Sequence, residues 1–232
     1  MLKKMLITGF LLFLTVFCYA QTNLAKGEEF LMQNNPAQAV VFLERALAED
    51  SANVTIYLYL GIVYEQLGRA NEAISVYTRV LPRAGNLSAN VAGNLGNVYF
   101  SRGNIEEAER FYTQALAFNS SYSSAFLGRA NTRIKSGQLL SAVTDYEQYL
   151  TLEPRSSQRD NIERLISLIR TEIATEEMRK QLAADEAARL QAERQKLLDS
   201  VSASLQSLSD SSKSISSGAE SVEQYSGDFE LD

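Results

Sequence analysis

The sequence is short of the side chains that most catalytic and metal sites use. Among 232 residues there is no histidine, and Cys18 is the single cysteine. Disulfide bonds, Ser-His-Asp triads, Cys or His nucleophile systems and Cys/His zinc sites are therefore excluded. Carboxylates, amines and hydroxyls remain, but adjacent acids such as Glu106 and Glu107 point in different directions on a helix. We expect no enzymatic activity, no cofactor and no metal site.

Basic residues are too few to form a nucleic-acid surface. The chain has 22 Lys and Arg against 28 Asp and Glu, which gives a net charge of −6. Binding to a phosphate backbone depends on clustered cations, so no nucleic-acid partner is predicted. The glycines also stand singly instead of forming a GxxxxGK[ST] phosphate loop.

The first twenty residues, MLKKMLITGFLLFLTVFCYA, contain a long apolar run after two lysines. Cys18 and Ala20 are small residues near a cleavage point, and this pattern predicts a secretory signal peptide over residues 1–20. We expect export, to the periplasm, with no membrane insertion after cleavage. Two alternatives are an uncleaved anchor, although the run is short for a membrane span, and lipid attachment at Cys18, although Phe17 is bulky for that reaction.

Residues 60–81 (LGIVYEQLGRANEAISVYTRVL) and 95–116 (LGNVYFSRGNIEEAERFYTQAL) share one order of residue types. Two sets of small residues recur with steps of 34, 35 and 34, namely Gly27, Gly61, Gly96 and Ala130, and Ala39, Ala73, Ala108 and Ala142. Aromatic residues follow these small residues at constant distances, and a period of this length predicts stacked repeats.

Each unit reads as two helices separated by a break, at Asn34-Asn35, Gly68, Gly103 or Gly137. Small residues let the two helices approach closely, and aromatic residues fill the space between them. Because one helical hairpin cannot bury its apolar face alone, neighbouring units must stack, and this predicts an all-α solenoid with an extended concave surface. We interpret the repeated tyrosines as core residues.

The sequence resembles the tetratricopeptide repeat family over about residues 20–156. The match is strongest at Leu60, Gly61, Tyr64, Ala73, Tyr77, Leu95, Gly96, Tyr99, Ala108, Tyr112 and Ala115. The resemblance implies a right-handed α-solenoid of four hairpins, at about 20–53, 54–87, 89–122 and 123–156. One extra residue near 82–87 lengthens a turn, so we expect an irregular step between the second and third repeats.

The fourth repeat departs from the pattern, because Arg129 and Arg133 replace the residues equivalent to Leu60 and Tyr64. Two guanidinium groups at these places are costly if they are buried without partners. Two outcomes are open: the helix is rotated outward, or acids such as Glu163 on the following helix pair with them.

The pattern changes again after Pro154. Apolar residues on one face predict a capping helix over residues 157–174, with a long helical extension beyond it. Residues 175–209 predict a charged, extended helix whose apolar residues are too irregular for sustained coiled-coil heptads. Residues 210–232 are Ser-rich and then acidic, which predicts a disordered tail.

In the family that the sequence resembles, the first helix of each repeat lines the groove. The resemblance implies candidate partner-binding residues at Leu58, Ile62, Glu65, Asn90, Asn94, Asn97, Ser101, Leu127, Asn131 and Lys135. Asparagines can donate and accept hydrogen bonds with an extended peptide, while Leu58 and Ile62 accept apolar side chains. The alternative is that these are solvated helix faces. A clamp for a terminal carboxylate would need more cations than Lys135 and Lys26 supply.

These patterns predict a non-catalytic protein-protein interaction scaffold of the bacterial cell envelope, with a protein or peptide partner in the groove. The alternative hypothesis gives the main role to the long C-terminal helix, through self-association or as a structural component of a periplasmic assembly.

Overall fold

A computed structural model describes the backbone of residues 23–223 and the side chains of residues 23–213. The expected signal peptide (1–20) and residues 224–232 of the expected tail lie outside the described residues. The chain divides into two compact units, Met1–Arg170 and Thr171–Asp232. The described residues contain helices and turns and no β-strand.

The described part of the first unit is a series of helical hairpins, which confirms the all-α repeat fold. The helices are α1 (23–32), α2 (Pro36–Glu49), α3 (Val54–Gln66), α4 (Ala70–Val80), α5 (Ser88–Ser101), α6 (Ile105–Phe118), α7 (Ser123–Lys135), α8 (Leu139–Leu152) and α9 (Arg159–Glu223). From α2 to α8, each helix packs against the next one along the chain. The first helices of the four repeats are α1, α3, α5 and α7, and the second helices are α2, α4, α6 and α8.

The turn inside each hairpin lies at the predicted break. Asn34, Gly68, Gly103 and Gly137 have φ values of 54°, 71°, 77° and 76°. Glycine adopts positive φ without a Cβ clash, and asparagine tolerates it better than most residues. The second repeat begins after Asn53, whose side chain accepts a hydrogen bond from the Thr55 amide at 3.0 Å.

The extra residue between the second and third repeats is absorbed by two 3₁₀ turns, Leu81–Arg83 and Gly85–Leu87. Ala84 between them is buried. The Arg83 side chain donates to the Ser51 carbonyl oxygen at 2.9 Å and lies 4.9 Å from the centre of the Tyr57 ring. The longer connection is thus held against the preceding turn.

Close packing inside a repeat depends on the small residues. Tyr77 of α4 is fully buried against α3, and a Cβ placed on Gly61 would lie 2.1 Å from its ring. Leu60, Val63 and Ala73 belong to the same core. The predicted core role of the repeated tyrosines is confirmed by the burial of Tyr77, Tyr112 and Tyr146.

The fourth repeat is held together by an ion-pair network around Asp145 of α8, whose side chain is 2% exposed. Its carboxylate accepts from Arg129 at 2.7 and 2.9 Å and from Arg133 at 2.7 Å. Arg133 also donates to Glu109 of α6 at 2.8 Å.

Of the two open outcomes, the one in which acids pair with these arginines holds, but the acids are Asp145 and Glu109 and not the suggested Glu163, which pairs with Arg159. Asp145 lies on the helix that packs directly against α7, whereas Glu163 belongs to α9.

The last helix begins at Arg159, and Ile162, Ile166 and Ile169 are buried within the first unit, as a capping helix requires. Its start is anchored by Arg159, which donates to the Leu150 carbonyl oxygen at 2.8 Å. The segments predicted as a capping helix (157–174) and a charged helix (175–209) belong to one continuous helix.

In the second unit this helix runs on to Glu223, past residue 210, where the sequence predicts disorder. Serine costs only a few tenths of a kcal/mol relative to alanine in a helix, so it does not by itself end one. None of the described helices is long and apolar enough to cross a membrane.

Candidate partner-binding groove

In each of the last three repeats, a buried tyrosine on the second helix donates a hydrogen bond from its hydroxyl to a side chain on the first helix. Tyr112 donates to Oδ1 of Asn97 at 2.7 Å, and Tyr146 donates to Oδ1 of Asn131 at 2.6 Å. Asn97 and Asn131 occupy the same place in successive repeats, one residue after Gly96 and Ala130. The two amides are therefore oriented by core residues.

In the second repeat, the buried tyrosine hydroxyl has different hydrogen-bond partners. Ile62 occupies the place of the two asparagines and cannot accept a hydrogen bond. Tyr77 instead donates to Oε1 of Glu65 at 2.6 Å and accepts from Nδ2 of Asn94 at 3.1 Å. Glu65 and Asn94, two predicted site residues on neighbouring first helices, thus meet at one tyrosine hydroxyl.

The third and fourth repeats form a depression of about 290 Å³ between them. Its lining contains the predicted residues Asn97, Leu127 and Asn131. It also contains four residues that the sequence analysis did not propose for the groove, Phe100, Tyr112, Ser124 and Gly128. Gly128 permits close approach, since a Cβ there would lie 2.4 Å from the Tyr112 ring. The repeat period identifies Tyr112 as a core residue and does not indicate that Tyr112 also lines the depression.

The chemistry of this depression favours hydrogen-bond acceptors on a ligand. The Oδ1 atoms of Asn97 and Asn131 already accept from tyrosine hydroxyls, and within the described residues no side chain or backbone oxygen accepts from their Nδ2 atoms. Each amide therefore has donors left for a carbonyl group.

The lining residues carry no positive charge. Lys135 is exposed and lies beside the depression, with its Nζ 4.6 Å from the centre of the Phe100 ring. Lys26 similarly lies 5.5 Å from the centre of the Phe42 ring. This arrangement does not supply the cluster of cations that a terminal-carboxylate clamp needs.

The contact of Leu58 with partner side chains stays a prediction, and little of this residue's surface is free for it. Leu58 is only 9% exposed, because it packs into the core shared by the first three repeats. Ile62 is half-buried and packs against the same core. Asn90 hydrogen-bonds the Tyr122 hydroxyl, and Ser101 donates to the Val98 carbonyl oxygen of its own helix at 2.8 Å.

Glu65 is the predicted groove residue whose pKa departs from its ordinary value. Burial raises the pKa of its carboxyl group from 4.5 to about 7, although the hydrogen bond from Tyr77 acts in the opposite direction. Burial and the nearby Glu65 also raise the pKa of Tyr77 above its ordinary value. Among the described residues, Glu65 forms no ion pair.

We expect Glu65→Gln to stabilise the protein relative to wild type as the pH rises. The folded-state pKa lies above the unfolded value, so this group's contribution to stability is complete below about pH 4.5 and is lost as the pH rises through about 7. The difference in the free energy of unfolding between variant and wild type should grow on the order of 2 kcal/mol over this interval. Urea unfolding at a series of pH values measures it, and a pH-independent difference would contradict the assignment.

The described residues hold no group of three or more His, Cys, Asp or Glu side chains suited to a metal ion. The absence of a cofactor and of catalysis stays a prediction.

Residues 52–121 match the family model described as tetratricopeptide repeat. The human RNA polymerase II-associated protein 3 is 37% identical over 124 residues, which are 53% of this chain and 18% of that protein. The chain thus spans less than a fifth of the length of this curated relative.

Solved structures show the same fold at low identity. A MamA protein has a TM-score of 0.57 and 21% identity, with 65% of this chain and 80% of that chain covered. The pilF protein of Pseudomonas aeruginosa has a TM-score of 0.59 and 18% identity, with 69% and 72% covered. Tetratricopeptide repeats are protein-interaction modules and are typically non-catalytic. The family model thus covers residues 52–121 of this chain, and the solved structures share its fold of stacked helical hairpins.

Proposed function

We propose that the chain is a non-catalytic scaffold that binds an extended segment of a partner protein along its concave groove. The observation that carries this proposal is the depression between the third and fourth repeats, where Asn97 and Asn131 present amide donors beside Leu127. Extended backbone offers carbonyl groups at a regular spacing, which suits donors repeated on successive helices.

The groove is organised before a partner arrives. Tyr112 and Tyr146 are each 2% exposed, and their hydroxyls hold the Oδ1 atoms of the two asparagines. A partner therefore does not have to order these amides on binding, which reduces the entropic cost of association. Leu127 and Phe100 offer apolar contact for the partner's side chains in the same depression.

Partner capture by the full chain and by an Asn97→Ala, Asn131→Ala variant tests this proposal. We expect the affinity for a captured partner to fall about 10- to 30-fold, because two hydrogen bonds of about 1 kcal/mol each are lost. Capture from an envelope extract identifies the partner, and calorimetry with the purified partner measures the affinity.

Two controls separate binding from structural damage. Asn86→Ala changes an exposed asparagine in the turn between α4 and α5. This control should retain the partner within a few-fold. A Tyr112→Phe, Tyr146→Phe variant removes the internal hydrogen bonds and keeps the groove amides, so its affinity measures how much the orientation of the amides contributes to binding. Unchanged affinity in the asparagine variant would refute the groove assignment.

We further propose that the scaffold acts in the bacterial cell envelope, after export and removal of residues 1–20. The proposal is supported by the apolar run of that segment, which follows two lysines as in a signal peptide. The mass of the protein recovered from a periplasmic fraction reports the cleavage.

The second candidate function is self-association or assembly through the long C-terminal helix. It is favoured by exposed large apolar side chains in the second unit, at Leu182, Leu190, Leu197, Leu198, Val201, Leu205 and Leu208. A chain that ends at Arg170 serves as a further arm of the capture experiment. Retained capture assigns the partner to the repeats, and lost capture or lost cross-linked oligomers assigns it to the helix.

A further inference from the structure

Two carboxylates occupy the first helices of the first two repeats, at places where tyrosine hydroxyls reach them. Glu28 directly follows Gly27, so it holds the repeat position of Asn97 and Asn131. Its Oε1 accepts from Tyr59 at 3.0 Å, as Oε1 of Glu65 accepts from Tyr77 at 2.6 Å. Both glutamates are half-buried. The groove is therefore amide-lined in its last two repeats and acidic in its first two.

Neither carboxylate has a cationic partner in the described part of the chain. Lys26 lies against the Phe42 ring, and Arg69 pairs with Glu72. The basic residues closest to the two glutamates in sequence are thus engaged elsewhere.

The groups around Glu65 on the helices packed nearby are neutral or acidic. Tyr77 of α4 and Asn94 of α5 hydrogen-bond one another, and Tyr77 donates to Glu65. The charge of Glu65 acts on Tyr112 of α6, and Tyr64 on α3 itself engages Glu44 of α2. A partly desolvated carboxylate in such surroundings lacks the positive charge that would offset its loss of water.

We propose that the partner segment carries basic side chains, arginine or lysine, that pair with Glu65 and Glu28 in the first half of the groove. This inference rests on the proposed function and names the chemistry of its ligand. The segment places its cations on the two carboxylates and its backbone carbonyls on the amides of Asn97 and Asn131. Charge complementarity then sets which half of the groove each part of the segment occupies.

Proton release accompanies the pairing. Burial raises the pKa of Glu65 to about 7, so this carboxyl group is partly protonated near neutral pH in the free protein. A cation placed beside it favours the ionised form and lowers the pKa. The affinity for a basic segment therefore rises with pH across this range.

The test uses two synthetic peptides and the full chain. Both peptides have acetylated and amidated ends and alternating Ser and Ala residues. One carries arginine at two positions, and the other carries citrulline, which has the same shape without the charge. Chemical shifts of the protein at millimolar peptide report the binding site and the dissociation constant.

We expect the arginine peptide to shift the resonances of Glu65, Tyr77 and Asn94, with an affinity about fivefold higher near pH 8 than near pH 6. The citrulline peptide should bind at least fivefold more weakly. A Glu28→Gln, Glu65→Gln variant should lose both the preference for arginine and the pH dependence. A matched Glu29→Gln, Glu106→Gln variant, which neutralises two exposed carboxylates, should retain them.

Equal binding of the two peptides, an arginine preference that survives in the Glu28→Gln, Glu65→Gln variant, or no shifts in the groove would overturn the inference. The proposed function has a separate readout. If the asparagine variant loses its captured partner while arginine and citrulline peptides behave alike, the groove still binds a segment, and only the basic character assigned to that segment is refuted.

Discussion

Replacing Asp145 by alanine is expected to lower the free energy of unfolding by about 3–5 kcal/mol. The wild-type carboxylate is 2% exposed and accepts from both Arg129 and Arg133, whose side chains are 15% and 19% exposed. Its removal leaves two partly buried guanidinium groups without their shared partner. Glu109 remains for Arg133, but among the described residues the remaining hydrogen-bond partner of Arg129 is the Thr113 hydroxyl, at 3.2 Å.

Urea unfolding followed by circular dichroism measures this effect. Glu72→Ala is the matched control, because it removes a carboxylate that pairs with Arg69 at the surface. Exposed pairs of this kind contribute about 0–1 kcal/mol. A loss for Asp145→Ala as small as the loss for the control would mean that the network does not hold the fourth repeat together.

Tyr77→Ala is expected to cost about 3–5 kcal/mol, the range for removing a large buried aromatic ring. The ring fills the space beside Gly61, where no side chain replaces it. The substitution also removes the hydroxyl that Glu65 and Asn94 share. We therefore expect lower stability together with disorder of the groove residues between the second and third repeats.

Tyr77→Phe separates the two contributions. It keeps the ring and removes the hydroxyl, so its cost should be about 1–3 kcal/mol. The hydrogen bond from Tyr77 lowers the pKa of Glu65, so the variant's Glu65 should titrate above about 7, as a carboxyl carbon resonance reports. Phe118→Ala, at a half-exposed ring, controls for the loss of aromatic surface. Equal losses for Tyr77→Ala and Phe118→Ala would contradict the packing argument.

The repeat fold was predictable because its signals are local and periodic. The small residues at Gly61 and Gly96 face tyrosines on the second helices, and both landmarks recur with the period of the hairpin. Each break that the sequence indicates coincides with a residue at positive φ. Regular spacing therefore carries the information for helix number, turn position and the identity of the core tyrosines.

The electrostatic partners were not predictable in the same way. Arg129 and Arg133 are recognisable as departures from the pattern, but their partners Asp145 and Glu109 depend on how three helices cross. The burial of Leu58 likewise depends on how tightly neighbouring repeats pack. Sequence period identifies which helix a residue belongs to, whereas small rotations of that helix decide whether a side chain faces the groove or the core.

Part of the site was predictable from the family resemblance. Asn97, Leu127 and Asn131 line one depression, and Glu65 and Asn94 meet at one hydroxyl. Glu28 was not among the predicted residues, although it shares the repeat position of Asn97 and Asn131. The sequence does not show that a core tyrosine extends its hydroxyl to that register position.

The side-chain amides of Asn97 and Asn131 each accept a hydrogen bond from a buried tyrosine at Oδ1 and leave Nδ2 as a donor for the groove. A substitution of either asparagine changes the ligand preference and also leaves a buried tyrosine hydroxyl without its hydrogen-bond acceptor. Attempts to engineer new selectivity should therefore begin at Ser124 and Lys135, which lie in or beside the depression and accept no hydrogen bond from a core tyrosine. Libraries that randomise the two asparagines should contain many members of lower stability, which complicates a selection for binding.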